Sequence, residues 1–350
     1  MRRLPIYFLI DISESMVGEP IDHVQNGIET IVKELRTDPY ALETVYLSMI
    51  VFAGKAKKII NMAELFNFYP PKLPVGGGTS LGKALDFLMD DINNSIKRTT
   101  LEEKGDWKPI IFLFTDGNPT DDYDAAFERW NRKYRKSANL IIISLGDNTD
   151  VSIFGKITEN VLMLNNTDGE SFQKFFKWVT ASIKTSSISV SNDNDDEVHL
   201  APITNGFLSK IDLEKHTSPP KIDENFAVIV AKCQTTKRPY LIKYQKRISP
   251  SQLSDLFKNV MDYKLVGAYP VDNSYFELND DIASGGSVST SLLTGFPSCP
   301  CCGNQYGFSH CACGKILCTG EEDITKCPWC DAEAHFGFDS GSVNITRTRG

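Results

Sequence analysis

A stretch of apolar residues long enough to cross a membrane is missing from this chain: no run approaches the roughly 20 residues a transmembrane helix requires. The run at residues 4–10 follows two arginines, as a signal sequence would, but it is seven residues long, ends at Asp11 and lacks a small-residue cleavage site. It reads as a first buried strand, and a cytoplasmic location is expected. An excess of basic charge is missing too. Lys and Arg number 37 against 45 Asp and Glu, a net charge of −8, so a nucleic-acid-binding footprint is absent at whole-chain level. There is no internal repeat at solenoid periods. Cysteine is absent from the first 232 residues, and eight of the nine fall between Cys299 and Cys330. Disulfide-stapled secreted domains distribute their cysteines differently, and a local cluster in a chain without an export signal reads as metal binding.

What is present looks globular. Hydrophobic residues make up 41% and charged residues 23%, close to the average that excludes wholesale disorder. A length of 350 residues predicts two or three domains at about 100–200 residues each. Strand and helix patterns alternate over the first 185 residues. Apolar strands are expected at 4–10, 44–52, 110–114, 140–145 and 160–164, and helices at 21–35, 79–96, 122–136 and 171–183. Strands this apolar are buried on both faces, which calls for a mostly parallel sheet between helix layers, an open doubly wound α/β fold of Rossmann-like type.

Beyond residue 185 the character changes. Residues 186–197 are polar and acidic, as a linker would be, and 283–295 and 337–350 are Gly-, Ser- and Thr-rich, flexible or frayed by composition. Strand-like pieces at 226–232, 240–244 and 263–268 make a small β-rich module, the first two joined as a hairpin, with Ser249-Pro250 starting a short helix. The expected domains are therefore 1–186, 187–297 and 298–350. The hydroxyls of Ser284, Ser287, Ser289, Thr290, Ser291 and Thr294 offer phosphorylation sites in the flexible stretch.

The first strand runs directly into Asp11-Ile12-Ser13-Glu14-Ser15, and the strand at 110–114 ends in Thr115-Asp116-Gly117. A third loop, Val75-Gly-Gly-Gly-Thr79-Ser80, enters a helix. Ligands of open α/β sheets bind outside the carboxyl ends of the strands, and carboxylates with hydroxyls are hard oxygen donors that suit Mg²⁺, Mn²⁺ or Ca²⁺ better than zinc. The competing reading, in which Asp11 and Ser13 only cap the next helix, is weakened by three such loops occurring in the right order. Glu14 and Glu19 read as solvated, and Thr115 as orienting the Asp116 loop.

The segments MRRLPIYFLIDISESMVGEPI, ELRTDPYALETVY, FYPPKLPVGGGTSLGKAL and KGDWKPIIFLFTDGNPTDD resemble the von Willebrand factor type A fold with its metal-ion-dependent adhesion site. Together with the cysteine-rich end, they are similar to the TerY-type proteins of bacterial tellurium-resistance and stress operons. The resemblance implies that Asp11, Ser13, Ser15, Thr79 and Asp116 are metal ligands. It also implies protein partners, a Ser/Thr kinase and a phosphatase of the same operon.

The second cluster comprises Cys299, Cys301, Cys302, Cys311, Cys313, Cys318, Cys327 and Cys330. Cys299-Pro-Cys-Cys302-Gly and Cys327-Pro-Trp-Cys330 have zinc-knuckle spacing, and structural zinc takes four ligands. Eight thiolates fill two Zn²⁺ sites, with the adjacent Cys301 and Cys302 serving different ions. A single zinc on Cys299, Cys302, Cys327 and Cys330, a redox pair and an iron–sulfur cluster are the rivals. His310 is a spare ligand, and Cys233 reads as a plain strand residue.

The favoured function is a non-enzymatic, metal-dependent interaction module. The alternative is a Mg²⁺-dependent phosphatase-like hydrolase using Asp11 as nucleophile. That chemistry needs an acid/base carboxylate two residues on, and this chain has Ser13 there.

Overall fold

The computed structural model describes residues 2–116, 118–145, 151–164, 169–191, 200–202, 208–210, 225–250, 259–279, 286–320, 324–336 and 341–348. The chain divides into two compact units. The first is Met1–Ile12, Glu19–Leu73 and Thr79–Pro219, and the second is Ser13–Gly18, Pro74–Gly78 and Pro220–Gly350.

The first unit is built on strands β1 (Leu4–Asp11), β2 (Val45–Phe52), β3 (Ala56–Glu64), β4 (Ile110–Thr115), β5 (Asn139–Leu145), β6 (Asn160–Leu164) and β7 (Leu208–Lys210), in the sheet order β3-β2-β1-β4-β5-β6-β7. From β2 through β6 the neighbours are parallel. All eight residues of β1 are buried, as a strand covered on both faces requires. Side chains alternate across it. Tyr7 and Leu9 join a core with Leu81, Leu85 and Leu88 of α3 (Leu81–Ser95) and Phe127 and Trp130 of α4 (Asp124–Lys133). On the opposite face Phe8 packs with Phe112 and Phe114 of β4, and Phe114 meets Phe175 and Phe176 of α5 (Gly169–Ser191). Helix α1 (Glu19–Leu35) buries the stripe Ile21, Val24, Ile28, Ile31, Val32 and Leu35, and α2 (Pro39–Thr44) is capped by the Asp38 side chain. At Gly27 an added Cβ would lie 2.0 Å from the Phe176 ring, so α1 approaches α5 only because this position has no side chain.

The expected α/β class and the five parallel strands are present. Four elements depart from expectation: α2 and β7 have no counterpart in the sequence reading, and β7 pairs with β6 beyond the expected end of the first domain at residue 186, while β3 and α5 differ as follows. β3 has no counterpart in the sequence reading; it is an antiparallel edge strand whose residues are only partly buried or exposed, Lys57 among the exposed, and edge strands with charged side chains lack the apolar signature of buried ones. Helix α5 continues to Ser191 through the polar stretch expected to be a linker. Ser186 and Ser187 are buried there, and the Ser186 hydroxyl donates to the Ser182 carbonyl at 2.9 Å. The helix's own carbonyls satisfy the polar groups that composition had suggested were solvated. Residues 192–197 of that stretch lie outside the described residues.

The second unit contains β8 (Phe226–Lys232), β9 (Pro239–Pro250), β10 (Asn259–Pro270), α6 (Ser274–Leu278), β11 (Ser287–Ser289), β12 (Leu293–Thr294), β13 (Tyr306–His310), β14 (Ile316–Thr319), β15 (Thr325–Lys326), β16 (Glu333–Ala334) and β17 (Asn344–Thr346). A six-stranded sheet runs β12-β10-β9-β8-β14-β13. The hairpin expected from 226–232 and 240–244 is β8–β9. Because β14 of the cysteine region pairs with β8, the expected boundary between a β-rich module and a separate cysteine module falls inside one sheet. Pro250 is strand, paired opposite Asn259, so a helix does not start there; 251–258 lie outside the described residues. The stretches expected to be flexible or frayed meet as a ladder, β11 with β17. Ile345 is buried, and the Arg347 guanidinium donates to the Phe226 carbonyl. Ser284 lies outside the described residues.

Candidate metal centres

The thiols assemble into two groups of four, each with all sulfurs within 4.8 Å of one another: Cys233, Cys299, Cys302 and Cys318, and Cys311, Cys313, Cys327 and Cys330. Zinc–sulfur bonds of about 2.3 Å in a tetrahedron place sulfurs about 3.8 Å apart. The Cys302–Cys318 pair is 3.7 Å apart, Cys311–Cys330 is 3.8 Å and Cys313–Cys327 is 4.0 Å. The sulfurs are thus spaced as a zinc ion would hold them, and the donor set fits the metal. None of the cysteines is in a disulfide.

Membership differs from the sequence expectation at two residues. Cys233, read as a plain strand residue, is a member of the first group, and Cys301 belongs to neither. Cys299 and Cys302 also lie in a different group from Cys327 and Cys330, so the geometry does not build the single four-thiol site that was the rival. The reason lies in the β8–β9 turn. Cys233 directly follows β8, its N–H donates to the Arg238 carbonyl, and the Thr236 N–H reaches its sulfur at 3.2 Å. This turn aims one thiol at the other three without a Cys-x-x-Cys pair. The only sequence signal is a lone cysteine opening the turn segment QTTKRP. His310 is half-buried and in neither group.

Backbone and side-chain donors surround the sulfurs. Gln234 N–H donates to Cys318 at 3.2 Å, Asn304 to the same sulfur at 3.6 Å, and Trp329 N–H to Cys327 at 3.5 Å. Such contacts orient thiolate ligands. Without an ion, burial pushes the Cys318 thiol up to about 11 and raises Cys299, Cys311, Cys313 and Cys327 as well. Burial also acts on Cys233, but hydrogen bonds from Thr236 and Cys302 outweigh it and bring that thiol down to about 7.

Asp11 and Asp116 sit at the carboxyl ends of strands, where the fold places ligands. In the first unit Asp11 closes β1 and is fully buried, and Thr115 at the end of neighbouring β4 donates to its Oδ2 at 2.6 Å. Thr115, expected to orient the Asp116 loop, is thus bonded to Asp11. Asp116 follows β4 and is half-buried. Thr79 is buried just before α3, with its N–H donated to Thr120 Oγ1 at 2.9 Å and its carbonyl accepting from Thr120 N–H at 2.8 Å. Asp121, which the sequence reading left unassigned, caps α3 by accepting from Gly82 N–H at 3.2 Å and Lys83 N–H at 3.0 Å. In the second unit Ser13 and Ser15 are buried with their hydroxyls 3.0 Å apart. Glu14, expected to be solvated, is 1% exposed. It accepts from the Tyr275 hydroxyl at 2.7 Å and from Gly78 N–H at 2.8 Å. Glu19 is exposed as expected. Carboxylates and hydroxyls held this way, out of water, are a donor chemistry for a hard divalent cation.

Residues 6–178 match the family model of the von Willebrand factor type A domain, which agrees with the parallel sheet and its strand-end carboxylates and hydroxyls. That stretch is a von Willebrand factor type A domain. Residues 223–350 match the TerY-C metal binding domain. The two domains in this order give the chain the TerY-type architecture. Among curated proteins none matches it in sequence. Among solved structures, proximal thread matrix protein 1 from the mussel byssus is 14% identical over 51% of this chain and 48% of that one, with a TM-score of 0.39. The same mussel protein with a zinc-occupied MIDAS motif is 16% identical over 53% and 46%, with a TM-score of 0.38. The ArnB paralog VWA2 from Sulfolobus acidocaldarius is 12% identical over 80% and 70%, with a TM-score of 0.36. The chain spans about half the length of the mussel structures it matches. No helix among the described residues is long and apolar enough to cross a membrane.

Proposed function

We propose that this chain is a non-catalytic adaptor that binds protein partners through a metal-dependent adhesion site. In this reading Asp11, Ser13, Ser15, Thr79 and Asp116 hold Mg²⁺, or Mn²⁺ or Ca²⁺ in its place, and the two thiol groups each hold a structural Zn²⁺. The observation that carries it is the burial of Asp11, Ser13, Ser15 and Thr79. Burial keeps bulk water from competing for these oxygens, which leaves a hard donor set of the kind a divalent cation takes. When bound, the ion supplies an open coordination position for an Asp or Glu of a partner. The chain's own part is to hold the oxygens out of water so that a carboxylate arriving from outside completes the set. The TerY-type architecture supports a bacterial stress or tellurium-resistance signalling system in the cytoplasm as the setting, with a Ser/Thr kinase and a phosphatase of the same operon as partners. Hydrolysis is less well supported, because Ser13 stands where a phosphatase of that kind needs its acid/base carboxylate.

Mn²⁺ titration of zinc-loaded protein by calorimetry, in wild type and Asp11→Ala, tests the reading. Asp11→Ala is expected to lose Mn²⁺ binding and capture of the kinase while keeping its zinc. Equal Mn²⁺ affinity in both proteins removes the site.

A further inference from the structure

The loop Ser13–Gly18, which carries two of the proposed oxygen donors, makes little structure of its own. Its internal backbone bonds are those of one 3₁₀ turn, Met16 N–H to the Ser13 carbonyl at 3.0 Å and Val17 N–H to the Glu14 carbonyl at 3.2 Å. Further bonds reach the turn from residues of the same unit far along the chain. Lys243 on β9 is 3% exposed, and its ammonium donates to the Ser15 carbonyl and, at 3.1 Å, to the Val17 carbonyl. The same ammonium lies 4.5 Å from the Phe226 ring centre. An ammonium taken out of water is costly unless its donors are used, and here the acceptors are main-chain oxygens of the adhesion loop.

A second attachment runs through Glu14, which sits between the two serines. One of its carboxylate oxygens takes the Tyr275 hydroxyl and the other takes Gly78 N–H, the residue immediately before Thr79. Asn279 accepts from the neighbouring Gly77 N–H at 2.6 Å. A Cβ at Gly77 would lie 2.5 Å from the Asn279 oxygen, so the glycine is what admits the contact. Burial holds the Tyr275 hydroxyl protonated and available as a donor, with the Glu14 carboxylate adding to the effect. An apolar cluster completes the seat: Val17 and Val75 of the two loops pack with Val228, Leu241, Val271 and Tyr275.

We propose that Lys243, Tyr275 and Asn279 of the TerY-C domain are positioning residues of the adhesion site. They fix the main chain of Ser13–Gly18 and Pro74–Gly78, which carries Ser13 and Ser15, and so set the affinity for the ion. This rests on the adhesion-site reading above. None of the three is placed as a ligand; they act through the loop, as hydrogen-bonded partners behind metal ligands do. The consequence is that the ion affinity of a von Willebrand factor type A site is governed by residues 202 to 261 positions further along the chain than the groups they bond, the first of them, Lys243, on the strand that follows the turn bearing Cys233.

The test is Mn²⁺ titration of full-length, zinc-loaded protein carrying Tyr275→Phe, Lys243→Met or Asn279→Leu, with zinc content and melting temperature measured beside it. Tyr275→Phe keeps the ring in its cluster and removes only the hydroxyl. The expected result is a loss of Mn²⁺ affinity of about tenfold or more with two zinc ions retained. Asn279→Asp, which keeps an oxygen for Gly77 N–H, is expected to bind as wild type does. A purely structural role would lower the melting temperature and leave the affinity of the folded protein unchanged, and that result overturns the proposal. Asp11→Ala in the same series separates the two ideas. If it binds Mn²⁺ like wild type, the adhesion-site reading fails, and amide exchange decides the positioning. Faster exchange at Met16 and Val17 in Lys243→Met, and at Gly78 in Tyr275→Phe, supports it. Unchanged exchange there rejects it.

Discussion

The two units solve the problem of staying folded in different ways. The first has a continuous apolar core in which Tyr7, Leu9, Ile111, Leu113, Leu85, Trp130 and Ile142 meet between sheet and helices. The second divides its burial among smaller clusters, and cysteines are part of two of them: Cys233, Cys299 and Cys318 in one, Cys311 and Cys327 in another. On the proposed zinc sites, that core contains its own metal ligands and is incomplete without the metal. The difference teaches that the same chain relies on hydrophobic burial where helices can cover both faces of a sheet, and on clustered thiols, the proposed zinc sites, where they cannot.

The sharpest way to break this comparison is to remove zinc. Structural zinc contributes about 10–16 kcal/mol in small zinc-binding peptides at neutral pH, as much as the whole stability of a typical domain at about 5–15 kcal/mol. A strong chelator is therefore expected to unfold the second unit and leave the first standing. In hydrogen exchange, amides of β8, β9 and β14 should lose protection while those of β1, β4 and β5 keep it. Uniform loss across both units, or loss in neither, contradicts the division.

A finer break separates Cys233 from Cys301. Elemental analysis of Cys233→Ser is expected to give about one zinc per chain in place of two, because a structural site needs all four ligands. Cys301→Ser should keep two, since its sulfur belongs to neither group. The reverse outcome restores the assignment read from the sequence.

That reversal marks how far the sequence could be read. The apolar strands were legible because parallel strands buried on both faces leave uninterrupted runs such as IIFLFT, and the helices because Ile21 to Leu35 and Leu81 to Ile92 keep one apolar face. The strand-end position of Asp11 was legible because an apolar run that stops at a carboxylate marks where a buried strand leaves the sheet. Cys233 was not, since its partners begin 66 residues later and only the β14–β8 pairing brings them near. Glu14 was not, because a charged residue after a strand ordinarily faces water, and nothing local signals Tyr275 or Gly78 as its partners.

The smallest expected effect lies in the first unit, at a helix cap far from the thiol groups in sequence. Asp121 accepts from Gly82 N–H and Lys83 N–H at the start of α3, and losing such a cap costs about 1 kcal/mol. Asp121→Ala should lower stability by that amount whether or not zinc is present. Asp121→Asn should cost less, because its amide oxygen still accepts. The pH dependence has a definite sign. Burial raises the Asp121 carboxyl above its ordinary value of 3.8, only partly offset by the Lys83 and Gly82 N–H groups. A carboxyl that is easier to protonate in the folded state contributes stability that is complete below 3.8 and is lost as pH rises through the raised folded value. Wild type should therefore gain stability relative to Asp121→Asn as pH falls from neutral toward 4, read as the difference between their denaturant midpoints. A difference that stays flat, or runs the other way, would show that Asp121 is as easily ionised in the folded chain as in the unfolded one. Its role at α3 would then be a cap without a burial cost.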